Sequence, residues 1–158
     1  MVPVEPIFAR NKELLVSLSE LLDNERDALA QLDPDKILTL SKQKSVILDE
    51  LDALNIKRHS LLLKFGIIDQ KKAEEGQFKK WLHTKSSNPK LIDLVTQCEV
   101  LLENCKVKNH NNEQVLNISQ QRNKTLLEIL KGTDKKSRVY TAKGGTNPVS
   151  SKHTIGRA

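Results

Sequence analysis

Apolar residues recur along this chain in alternating steps of four and three. From Ile7 the steps visit Asn11, Leu14, Leu18, Leu21, Glu25, Ala28 and Leu32. From Ile37 they visit Leu40, Lys44, Ile47, Leu51, Leu54, Arg58, Leu61 and Phe65. From Leu91 they visit Leu94, Cys98, Leu101, Cys105, Lys108, Asn112, Val115, Ser119, Arg122, Leu126 and Ile129. Such spacing keeps one side of an α-helix turned toward a partner, so the pattern predicts three long amphipathic helices. Leucines beside the seam (Leu15, Leu22, Leu29, Leu48, Leu62, Leu102 and Leu127) widen the stripe, as packing against more than one neighbour requires.

Turn chemistry sets the boundaries. Asp33 is placed to cap the second helix, with Pro34 at its first position. Gly66 stands where that helix should end, Asn88-Pro89 opens the third long helix, and Gly132 closes it. The polar stretch between Gly66 and Asn88 contains Phe78, Trp81 and Leu82, which predicts a short helix packed across a bundle end, with Trp81 as a core plug. The expected fold class is all-α: an antiparallel helical hairpin plus a long third helix, an elongated three-helix coiled-coil-like bundle with a short connecting helix. The expected division is a bundle over residues 1–132, with helices at about 6–32, 34–65 and 89–131 and the short helix at about 70–84. Residues 133–158 show no period and are expected to form a flexible, disordered basic tail.

The tight turn at Asp33-Pro34 makes the first two helices antiparallel, so residues level with each other have numbers of constant sum. If Leu32 faces Ile37, Glu25 falls level with Lys44, and Asn11 with Arg58. These four form a structural polar seam. Glu25 and Lys44 are expected to meet, partly buried, and to fix register, unless both side chains reach solvent independently. The third helix is polar in its middle, with Lys108, Asn109 and Asn112 on or near the seam, and asparagine is a poor helix former. That predicts a weak place in a long rod. Beyond it the stripe resumes at Val115, Leu116, Leu126, Leu127, Ile129 and Leu130, to be covered either by the bundle itself or by a partner helix.

Composition narrows the function. Aromatic residues make up 3% of the chain, and no apolar run approaches the roughly 18 residues of a membrane span. Stable membrane insertion is not expected. The first residues lack the basic and apolar regions of a signal peptide, so a cytoplasmic protein is expected. Cys98 and Cys105 sit seven apart on one helix, about 10 Å by rise alone, which predicts two buried thiols and no disulfide. The four histidines are scattered, and no metal site is expected. Neither a phosphate loop nor a nucleophile-base pairing occurs, so neither an enzyme nor a cofactor or small-molecule substrate is expected. From Thr133 onward Asp134 stands against Lys135, Lys136, Arg138, Lys143, Lys152 and Arg157, so the tail holds +5 of the formal net charge of +6. The bundle is nearly neutral. With one aromatic residue and no regular basic face, the tail argues against a nucleic-acid binder. The alternatives are a generic helical adaptor and a self-associating coiled coil.

Several stretches, in order, are similar to one family. They are Leu21-Leu22 followed by Glu25 and Leu29, Lys44-Ser45-Val46-Ile47-Leu48 followed by Leu51, and Arg58 closing a leucine-rich run. Then come Cys105 with Asn109 and Asn112, a leucine-rich helix end, and Tyr140-Thr-Ala142-Lys-Gly144. In these the chain resembles the FlgN family of flagellar type III export chaperones. It departs from the family pattern at Glu113 and Thr141, where glycine is common. The resemblance implies a cytoplasmic chaperone that holds helical terminal segments of the hook-associated (hook-filament junction) proteins FlgK and FlgL. It would prevent their premature assembly and deliver them to the export gate, docking on the cytoplasmic domain of FlhA. Carried over, Val115, Leu116, Leu126, Leu127 and Leu130 are the client-binding candidates, and Tyr140, with Ala142 and Gly144, is the candidate for gate docking.

Overall fold

The computed structural model describes residues 3–86 and 88–131, together with the backbone of 138–140 and 146–148. The helices are α1 (Glu5–Gln31), α2 (Pro34–Lys64), α3 (Glu74–Thr84) and α4 (Pro89–Lys131). Past them, β1 (Arg138–Tyr140) and β2 (Thr146–Pro148) pair antiparallel, with Tyr140 opposite Thr146. The rest of the expected tail lies outside the described residues. The chain divides into two compact units, Met1–Gln114 and Val115–Ala158, a division that falls inside α4.

The α1–α2 link is short because both of its ends are capped. Asp33 Oδ1 accepts from the backbone N–H of Lys36 at 3.1 Å, and Pro34 occupies the first turn. Leu32 ends α1 in the left-handed region (φ 52°), and the next N–H, that of Asp33, donates to Ala28 O at 3.2 Å. Leu32 is thereby left out of the core row that Ile37 joins. It is 72% exposed and serves as a backbone cap. The seam pattern cannot distinguish these roles, because the last turn of a helix needs a left-handed residue whatever its side chain. A left-handed conformation costs a branched residue about 1 kcal/mol. Leu32→Gly is accordingly expected to raise stability by about 0.5–1 kcal/mol. Urea midpoints would check this, with Leu32→Ala, which keeps a Cβ at the same φ, giving no comparable gain.

Helix α1 is central to the 1–114 unit. One buried row, Leu21 and Ala28, packs with Leu40, Ile37 and Ile47 of α2. The adjacent row, Phe8, Leu15 and Leu22, joins Val95, Cys98 and Cys105 of α4 in the main core. Two rows one residue apart are what the widened stripe demanded, since each serves a different neighbour. Helix α2 is less enclosed, with only Leu40 and Leu62 fully buried along it. It ends at Gly66, whose φ of 65° lets Ile67 N–H reach back to Leu62 O at 2.9 Å.

Helix α3 packs at the start of α1. The Phe8 and Phe78 rings stack at 5.5 Å between centroids, and Phe78 stacks on Trp81 at 6.0 Å. Trp81 is half-buried against the main core rather than sealed inside it. Asn88 then caps α4, its Oδ1 accepting from the N–H groups of Lys90 and Leu91 at 3.1 and 3.3 Å. Lys90 reaches Glu5 at 3.0 Å, and this contact, aided by Asn88, holds the Glu5 carboxyl below the usual carboxylate range. The starts of α1 and α4 are thus joined, and the two helices run parallel. Their register is regular: Cys98 Sγ donates to Phe8 O (3.3 Å), Cys105 Sγ to Leu15 O (3.4 Å) and Asn112 Nδ2 to Leu22 O (2.9 Å). Each pair is 90 residues apart, so a heptad on α4 is matched to a heptad of backbone carbonyls on α1.

Candidate functional site

The residues of interest fall in two places. The first is a polar layer within the 1–114 unit. Lys44 Nζ donates to Glu25 Oε1 and Oε2 at 3.2 and 2.9 Å, and to Asn109 Oδ1 at 3.2 Å. Asn112 Nδ2 donates to Glu25 Oε1 at 3.0 Å as well as to the Leu22 carbonyl. Lys108 Nζ donates to Ser19 Oγ at 2.9 Å and to Asp23 Oδ2 at 2.8 Å. Side chains from α1, α2 and α4 thus close one network around a carboxylate whose side chain is only 9% exposed. In this setting asparagine does not weaken the rod: α4 runs unbroken through Lys106–Gln114. A propensity deficit of roughly 0.5 kcal/mol per asparagine is offset by hydrogen bonds of about 1 kcal/mol each.

The other level pair does not form. Asn11 is buried and its Oδ1 has no partner among the described residues. Arg58 instead donates through Nε to Glu74 Oε1 at 3.0 Å, with its guanidinium 5.9 Å from the centre of the Phe8 ring. The carboxylate on α3 and the aromatic face together draw Arg58 away, because a charge-assisted bond outweighs one to a neutral amide. Asn11 and Arg58 do line one cavity of about 390 Å³, with Leu51 and Phe78 among its walls.

The thiols of Cys98 and Cys105 are free and buried, and burial pushes both up from the ordinary thiol range. That suppresses the thiolate and with it reactivity. Their role is to pack and to donate to α1.

The second place is α4 from Val115 to Lys131, where every side chain except half-buried Ser119 is exposed. Val115, Leu116, Leu126, Leu127 and Leu130 are all among the exposed large hydrophobic residues, with Leu126 at 54% and Leu127 at 56%. Ile118 and Ile129 are exposed with them. At about 100° per residue these seven positions span about half of the helix circumference. Ile118 is absent from the seam list and falls on the margin of the face, where strict heptad counting overlooks it. Of the gate-docking candidates, Tyr140 is described only by its backbone in β1, and Ala142 and Gly144 lie outside the described residues. Among the described residues no group of three or more His, Cys, Asp or Glu side chains could hold a metal ion. No described helix is long and apolar enough to cross a membrane.

An exposed apolar surface along one side of a helix is suited to holding another helix. The FlgN protein family matches residues 5–148. The chain belongs to the FlgN family. FlgN proteins are flagellar export chaperones, so its general role is in the export and assembly of the flagellum. The match extends across α1 to α4 and through the tail to β2, covering both the polar layer and the exposed face. No curated protein and no solved structure gives a match.

Proposed function

We propose that this FlgN-family chain is a cytoplasmic chaperone for the hook-associated proteins FlgK and FlgL. It holds a helical terminal segment of the client on the Val115–Leu130 face of α4 and carries it to the export gate. The observation that supports this reading most directly is the exposure of large apolar side chains at both ends of that stretch in a family of export chaperones. A client helix laid on it removes apolar surface from water at about 25 cal/mol per Å², with no covalent step. Binding of that kind is reversible, as hand-over at a gate requires. While covered, the client's terminal helix is unavailable for assembly.

Tyr140, followed by Ala142 and Gly144, supplies the contact to the cytoplasmic domain of FlhA. A single aromatic side chain beside small residues is a common anchor for short motifs. The basic residues around it, Arg138 and Lys143 among them, favour an acidic partner surface. The test is co-purification of the full chain with the terminal segments of FlgK and FlgL and, separately, with the FlhA domain. Tyr140→Ala is expected to retain the client and to lose the gate by about tenfold or more. Loss of both partners would contradict this division of labour, and capture of neither client would overturn the reading.

A further inference from the structure

The exposed face of α4 is not uniformly apolar. At about 100° per residue, Val115, Leu126 and Leu130 fall near its middle, with Leu116 and Leu127 on one margin and Ile118 and Ile129 on the other. Ser119, Arg122 and Asn123 occupy the same face between Ile118 and Leu126. The large apolar side chains thus form two clusters whose leading residues, Val115 and Leu126, are about 16 Å apart along the axis. An arginine lies between them, within about 40° of Leu126. None of the ion pairs among the described residues involves Arg122. Glu128, the one acid of this stretch, falls on the opposite side of the helix.

This arrangement restricts the occupant. A wholly apolar helix laid across both clusters would cover the guanidinium and leave it unpaired, which is strongly unfavourable. A second copy aligned on the same face in either direction about its centre would set Arg122 against Arg122. A helix with a carboxylate level with Arg122 would instead gain a charge-assisted, bidentate bond within an apolar surround. Resting on the reading that this face holds the client, we infer that the bound segment is an amphipathic helix whose apolar stripe is broken at its centre by Asp or Glu. Arg122 is the residue that selects it. The leucine clusters supply affinity, and the arginine supplies register and discrimination.

Three synthetic helices test this on the full-length chain. They share two leucine clusters spaced about 16 Å apart and differ only in a central Glu, Gln or Lys. The Glu peptide should bind tightest, the Gln peptide about tenfold more weakly and the Lys peptide more weakly still. Arg122→Glu should invert that order, and Arg122→Gln should flatten it. Equal affinities, an order unmoved by Arg122→Glu, or no binding by any peptide would overturn the inference. Client capture by a Leu126→Asp/Leu127→Asp variant separates the two claims. If that variant loses the client while the peptides do not rank by charge, only the role of Arg122 falls. If it keeps the client, the face itself is not the site.

Discussion

Lys44→Ala is expected to lower the stability of the 1–114 unit by about 2–3 kcal/mol, although the residue is a lysine and is not fully enclosed. The substitution removes the two bonds from Lys44 Nζ to the Glu25 carboxylate and the bond to Asn109 Oδ1. Glu25, with its side chain 9% exposed, would keep only the Asn112 amide. A buried carboxylate without its counter-charge is costly, and that cost, rather than any large net value of the pair, makes the single substitution severe. Replacing both partners together, as Glu25→Leu with Lys44→Met, should therefore recover most of the loss and lie within about 1 kcal/mol of the parent. The four proteins form a double-mutant cycle, and an absence of coupling between positions 25 and 44 would refute the account. The chain's single tryptophan, Trp81 on α3, reports unfolding of this unit by fluorescence. Arg10 is a built-in control: its bond to Glu50 is equally short at 2.8 Å, but both side chains are about half exposed. Arg10→Ala should leave the unfolding midpoint close to that of the parent, because solvent screens an exposed pair.

The double variant Leu126→Asp/Leu127→Asp is expected to behave in the opposite way, losing function while keeping the fold. Both residues are more than half exposed in the free chain, so their replacement creates no cavity. The thermal midpoint should stay close to the parent value. In the complex each leucine would contribute about 2 kcal/mol of apolar burial, and each aspartate would add a charge to be desolvated. Since 1.4 kcal/mol is tenfold, affinity for the client segment should fall at least about a hundredfold. Titration calorimetry on the FlgK or FlgL terminal segment measures this directly. A variant that binds as the parent does would place the client elsewhere.

Both predictions rest on side chains that the primary sequence already singled out, yet in different ways. Glu25 and Lys44 were legible because a short capped turn makes levels across a hairpin a matter of counting. The same counting misplaced Arg58, since it levels backbone positions and takes no account of Glu74 and Phe8, which compete for the guanidinium. Leu32 shows a related limit: an apolar residue at the end of a seam reads as core, although the turn uses it as a left-handed cap. Asn109 and Asn112 read as a weakness because propensity is local, whereas one of the acceptors that makes Asn112 an asset lies 87 residues away in Glu25. The bonds from Cys98 and Cys105 to backbone carbonyls of α1 have no sequence signature, because every residue carries a carbonyl.

Legible along the chain were the all-α class, the limits of the three long helices within a residue, the antiparallel hairpin and the apolar stripe from Val115 to Leu130, whereas the short helix expected from about 70 begins at Glu74. These follow from period and from turn chemistry, both properties of neighbours along the chain. Only the tertiary structure decided that α4 runs parallel to α1 in a register of 90 residues, that its asparagines close a network around Glu25, and that the stripe beyond Gln114 stays exposed. A helical period states which residues share a face. Whether that face is covered depends on where distant elements end, and spacing carries no record of that.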